Sequence, residues 1–171
     1  MHIKLMPTLK VETIYDIDYI NLLEHGINVF IFDYDGTLFP TGTFTYNTNL
    51  KRFMTELNEI SDVVLATASG EKNKIDRICR NFPDHEHRRA WNAAFDLGIK
   101  KVHLDLQKLT IAYLEQIRKT YGYTKDQMIM IGNSYPFDIW PANRYGIISA
   151  KVNRPPHDQE KPKTLIKSNS K

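Results

Sequence analysis

The stretch Asn28–Pro40, NVFIFDYDGTLFP, decides how this chain is read. Val29, Phe30, Ile31 and Phe32 are an unbroken run of β-branched and aromatic residues, the pattern of a strand buried on both faces of a parallel sheet. Polarity begins at Asp33, so Asp33 and Asp35 stand at the carboxyl end of that strand, where open α/β sheets bind their ligands. Gly36 lets the backbone turn sharply, and Thr37 adds a hydroxyl. Paired carboxylates on such a turn suit a hard cation such as Mg²⁺, which keeps positions open for phosphate oxygens. They also supply a nucleophile with a neighbouring acid/base. A solvated Asp-Gly turn is the plainer alternative. It requires neither the apolar strand, nor the second aspartate, nor the hydroxyl in this order.

The same pattern recurs along the chain. Asp62–Thr67 (DVVLAT) and Gln127–Gly132 (QMIMIG) are further buried strands, Lys101–Leu106 (KVHLDL) alternates, and Ile147–Val152 is a last short strand. Between them lie helical patterns: Ile14, Ile17, Ile20, Leu22 and Leu23, with Asp16 or Asp18 as N-cap and Gly26 as stop, then Leu50, Phe53, Met54, Leu57 and Ile60. Ile75, Ile78, Cys79 and Phe82 form another such face, as do Leu109–Tyr121 ahead of Gly122. Residues 1–13 read as an irregular lead-in, and 38–49 as turn-rich with a small hairpin. In 83–99 a charged turn precedes a short helix with Trp91, Ala94 and Phe95 on one side. Strands alternating with helices predict an α/β fold, a Rossmann-like doubly wound parallel sheet.

Composition is that of a single soluble domain: 171 residues, 25% charged and 42% apolar, with no run long enough for a membrane span. One domain is expected over 1–154, followed by a flexible basic tail over 155–171. The lone cysteine, Cys79, rules out an internal disulfide and fits a cytoplasmic setting. A net charge of +3 does not point to nucleic acid.

D-x-D-G-T-L after an apolar strand resembles the first motif of the haloacid dehalogenase (HAD) superfamily of phosphotransferases. The resemblance assigns further residues. Thr67, at the end of an apolar strand, is similar to the second-motif hydroxyl that bonds the transferring phosphoryl group. Lys108, at a helix start and followed by Tyr113-Leu114, is similar to the third-motif lysine; Lys100 and Lys101 are rivals, but they precede the strand. Gly132-Asn133-Ser134-Tyr135-Pro136-Phe137-Asp138 resembles the fourth motif with Asn133 in place of its first aspartate. Residues 5–40 and 128–148 resemble more narrowly the YqeG-like branch, which includes mitochondrial phosphatidylglycerophosphate phosphatases and usually has Asn where this chain has Gly36.

What the resemblance implies is Mg²⁺-dependent phosphomonoester hydrolysis through an aspartyl-phosphate. Asp33 is the nucleophile, Asp35 the acid/base, and Thr67 and Lys108 hold phosphate. The metal is bound by Asp33, the Asp35 carbonyl, Asn133 and Asp138. The gaps at 38–49 and 71–107 are too short for a separate cap domain, and an open site suits a phosphate on a large or lipid-borne molecule. Two other classes compete: a catalytically impaired phosphate- or protein-binding relative, suggested by Asn133, and a nucleic-acid module using the basic tail. His85 and His87 have metal-binding chemistry but lie in a charged turn; Tyr135 and Trp140 flank Asp138, either lining the site or packing.

Overall fold

The computed structural model describes residues 5–67, 86–104 and 110–165. Its centre is a six-stranded, wholly parallel sheet. The strands are β1 (Leu9–Val11), β2 (Val29–Phe32), β3 (Asp62–Thr67), β4 (Lys101–Leu104), β5 (Met128–Gly132) and β6 (Ile148–Val152), in the order β1-β6-β5-β2-β3-β4. From β2 the chain steps one way to β3 and β4, then returns to the other side of β2 as β5. The topological switch point thus falls between β2 and β5, at whose carboxyl ends a ligand crevice is expected.

Every residue of β2 and β5 is buried, as their unbroken apolar character requires. Phe30, Phe32, Ile129 and Ile131 face a core built with α1 (Tyr19–Glu24), α2 (Thr48–Ile60) and α3 (Glu86–Asp96). Val29, Ile31, Met128 and Met130 face the other, built with α4 (Ala112–Tyr121) and α5 (Trp140–Tyr145). Alternation along each strand delivers one residue set to each layer. The helices follow from the same physics. In α2, Leu50, Phe53, Met54 and Leu57 are all buried and Asn47 caps the first turn by accepting the Leu50 N–H at 2.9 Å. In α1, Asp18 is the cap, accepting the Asn21 N–H at 3.1 Å.

Four expectations change. Residues 9–11 are not irregular but pair with Ala150–Val152 as the edge strand β1. No hairpin follows Leu38: Pro40 has no amide to give, Gly42 turns at φ 77°, and the Tyr34 hydroxyl donates to the Thr43 carbonyl. On α3 the buried residues are Ala90, Ala93 and Ala94, whereas Trp91 and Phe95 point outward. The tail does not begin at 155. Residues 155–165 lie back along α2, where Asn47 and Asn49 donate to Asp158, Glu56 accepts the Leu165 N–H at 2.8 Å, and Leu165 packs on the first core. Arg154 anchors the start of this segment through Glu160 at 2.6 Å. The predicted helix around Cys79, the residue Lys108, the His85 side chain and the last residues of the tail lie outside the described residues. No helix among the described residues is long and apolar enough to cross a membrane.

Ending the chain at Arg154 should therefore lower stability by roughly 1–3 kcal/mol, the scale of a lost charge-accepted hydrogen bond together with modest apolar burial. Chemical denaturation checks this; an unchanged midpoint would show that the segment contributes nothing to the fold.

Candidate active site

The sheet register assembles the site. Phe32 pairs with Ile131 on β5 and with Leu65 on β3, and the Asp33 amide continues the ladder by donating to the Ile131 carbonyl at 2.9 Å. Asp33 thus stands level with Gly132, one residue past the end of β2. Thr67 closes β3 on the other side and is buried, as Asp33 is. Asp33, Thr67 and the Gly132–Asp138 loop, far apart in sequence, meet at one edge.

The loop after Asp33 is pinned from below. Tyr34, Leu38 and Phe39 are buried, and the Tyr34 carbonyl accepts the amides of Thr37, Leu38 and Phe39. This tight turn directs two side chains in different directions. Thr37 is fully buried, and its hydroxyl donates to Asp33 Oδ2 at 3.2 Å, with Asn133 Oδ1 at 3.5 Å on its other side. Asp35 is half-buried at the rim, where its Oδ1 accepts the Gly42 N–H at 2.9 Å. The two carboxylates of the motif therefore do different things: one is held within the site, the other at its edge.

On the β5 side, Ser134 begins a π-helical turn, Tyr135–Ile139, that brings Asp138 back over the strand end. Asp138 is fully buried and accepts the Ser134 N–H at 3.0 Å. It occupies the space a side chain at Gly132 would need: a Cβ there would lie 2.3 Å from Asp138 Cγ. Across the crevice, Gly36 has φ 75°, and a Cβ on it would lie 2.2 Å from Asn133 Nδ2. Any side chain at either glycine collides with a proposed ligand. That also accounts for glycine at position 36, since the backbone alone leaves room for Asn133.

The carboxylates of Asp33 and Asp138 and the amide of Asn133 gather at this edge, and the sequence reading adds the carbonyl of Asp35; all are hard oxygen donors of the kind Mg²⁺ takes. Among the described residues no group of three or more His, Cys, Asp and Glu could hold a metal ion, so the set relies on its amide and backbone oxygens. These groups fit Mg²⁺. The sequence reading noted the Thr37 hydroxyl in DGT but gave it no role in the site, where it donates to Asp33. It missed Ser134, whose amide orients Asp138. Trp140 is 42% exposed, with its ring 6.2 Å from that of Tyr135.

Comparison with solved structures places the fold. The chain is similar to a haloacid dehalogenase-like family hydrolase from Xanthomonas campestris, with a TM-score of 0.53 and 13% identity over 80% of this chain and 88% of that one. It is similar, too, to a hypothetical protein from the same organism, with a TM-score of 0.52 and 19% identity over 88% and 77% of the two chains. A more distant likeness is to the Moraxella catarrhalis phosphatase for 3-deoxy-D-manno-octulosonate 8-phosphate, solved with magnesium and phosphate. There the TM-score is 0.43 at 18% identity, over 70% of this chain and 65% of that one. No protein-family model matches the chain. No curated protein matches it. The fold is that of the haloacid dehalogenase-like hydrolases.

Replacing Gly132 with Ala should destabilise the protein by about 1–3 kcal/mol, the cost of forcing a methyl group into filled space, because Asp138 has to move aside. Gly122→Ala is the comparison for backbone strain without collision, since φ there is 74° and a Cβ meets nothing within 4 Å, whereas Gly132 has no positive φ and its Cβ meets Asp138. Equal metal affinity in wild type and Gly132→Ala would show that Asp138 is not held as described.

Proposed function

We propose that this protein is a Mg²⁺-dependent phosphomonoester hydrolase working through an aspartyl-phosphate. The observation that carries the proposal is the division of labour in DYDGT. Asp33 is buried at the switch point beside Thr37, while Asp35 is turned to the rim and fixed by the Gly42 amide. A nucleophile and a separate acid/base need that arrangement: the first close to phosphorus, the second close to the ester oxygen.

In the first displacement an Asp33 carboxylate oxygen attacks phosphorus and the P–O ester bond breaks. Asp35 gives its proton to the departing alkoxide. In the second, water attacks the phosphorus of the acyl phosphate, Asp35 takes the water proton, and inorganic phosphate leaves with Asp33 restored. Thr37, by donating to Asp33 Oδ2, holds the carboxylate in one orientation. The Thr67 hydroxyl and the Lys108 ammonium are assigned to the phosphoryl oxygens, where fixed donors stabilise developing charge. Asp33, Asp138, Asn133 and the Asp35 carbonyl would hold Mg²⁺, which would neutralise the phosphoryl charge.

Substrates with phosphate on a large or lipid-borne molecule fit this reading. The described residues form one α/β body with no separate cap over the strand ends, which supports access by bulky esters. The particular resemblance to phosphatidylglycerophosphate phosphatases belongs to the same proposal.

Hydrolysis of an aryl phosphate by purified protein tests it. Asp33→Asn should lower turnover by roughly a thousandfold or more, as removal of a covalent nucleophile does, with an unchanged far-UV circular dichroism spectrum. Chelation with EDTA should abolish wild-type activity, and Mg²⁺ should restore it. Near wild-type turnover in Asp33→Asn, or full activity in chelator, contradicts the mechanism.

A further inference from the structure

The register that aligns Asp33 with Gly132 continues outward. Gly132 pairs with Lys151 on β6, and Lys151 pairs with Lys10 on β1. Partners in register on neighbouring strands project to the same face of a sheet. At the carboxyl edge this makes a row across four strands: Asp33, then the Asp138 carboxylate filling the place above Gly132, then Lys151, then Lys10. Two acids are followed by two bases. Adjacent strands are about 4.8 Å apart, so Lys151 stands roughly 10 Å from Asp33 along the row.

Lysines directly opposite each other weaken a sheet edge through their mutual repulsion. Lys151 is moreover half-buried, and its ammonium is aimed rather than left to solvent. It donates to the Val152 carbonyl at 2.6 Å and lies 5.7 Å from the centre of the Tyr135 ring, on the turn that carries Asp138. Burial, and next the charge of Lys10, push the Lys151 ammonium below its ordinary pKa, against the smaller opposing pull of Asp138 and Glu12. The nearby carboxylate of Glu12 is occupied by Asn153 and Arg154, at 2.8 and 3.1 Å. An anion seated between Lys151 and Lys10 would offset their repulsion.

We propose that Lys151, with Lys10 beside it, is a specificity-determining subsite that receives a second anionic group of the substrate, on the β6 side of the catalytic crevice. This rests on the phosphomonoesterase reading and narrows its substrate class to phosphomonoesters bearing a further carboxylate or phosphate. The phosphoryl group lies at Asp33, and the remainder of the substrate extends along the row past Asp138 towards the lysines. Tyr135 forms the wall of this path.

The test uses two esters on one three-carbon frame, glycerate phosphate and glycerol phosphate, both phosphorylated at the terminal carbon. They differ only in a carboxylate against a hydroxymethyl group. Wild-type protein should favour the carboxylate ester by about tenfold in kcat/KM, the scale of one hydrogen bond to a charged group, and chiefly through KM. Lys151→Met should bring that ratio close to one, Lys151→Arg should keep most of it, and Lys10→Gln should reduce it about threefold, as an outer and more solvated partner would. A wild-type ratio near one overturns the proposal, and so does a Lys151→Met variant that slows both esters equally. Hydrolysis of the aryl phosphate decides the phosphatase reading separately; where wild-type protein hydrolyses neither three-carbon ester, calorimetric titration with the same two compounds decides the subsite. Tighter binding of the carboxylate ester, lost in Lys151→Met, supports the subsite; equal binding refutes it.

Discussion

The structure depends on the pairing of β2 with β5. Two buried parallel strands, joined from Val29↔Met128 to Phe32↔Ile131, set Asp33 level with Gly132. Both strands are shielded on both faces, so neither can slip by a residue without carrying an apolar set out of its core. Asp33 therefore cannot leave its level, and the bond from its amide to the Ile131 carbonyl carries the ladder into the site. The two glycines, one on each side, then bring the backbones close enough for Asn133 and Asp138 to occupy the space between them. Placement by buried strands is more exacting than placement by loops, and this site takes its geometry from the strands.

Much of this was legible beforehand, and the reason is the same. VFIF, VVLA and MIMI are buried on both faces, so their apolar runs are continuous and their ends sharp. The residue that ends each run, Asp33, Thr67 or Gly132, is the residue found at the sheet edge. The α2 face was equally plain, because Leu50, Phe53, Met54 and Leu57 follow the helical period. What was not legible depended on distant partners. LKV, three residues with one exposed lysine, has no pattern of its own and is a strand only because β6 lies beside it. The segment 155–165 is polar and proline-rich, yet Asn47, Asn49 and Glu56 hold it in place from α2. Lys10 and Lys151 stand 141 positions apart and become neighbours only through register. Trp91 and Phe95 misled in the opposite sense, because small alanines form the packed side of their helix.

Asn133 gives the site its individual character. An amide in place of a carboxylate removes one negative charge from a crevice that already holds Asp33 and Asp138, both buried. Buried charges of one sign raise each other's cost, so the amide eases assembly of the cluster while keeping an oxygen for a hard cation. Its contact with Gly36 and its position beside the Thr37 hydroxyl tie the β5 loop to the DGT turn. Asn133 thereby bridges the two halves of the crevice. The row of acids and bases beyond it continues this distribution of charge, negative at the switch point and positive towards β1.

The central claim is that Asp33 carries the phosphoryl group. Acid quenching during steady-state turnover, followed by peptide mass spectrometry, tests it most directly, because acyl phosphates survive at low pH. The account predicts a single phosphoryl adduct on the peptide containing Asp33, absent without substrate. An adduct confined to another side chain, or brisk turnover with no adduct at all, would contradict it.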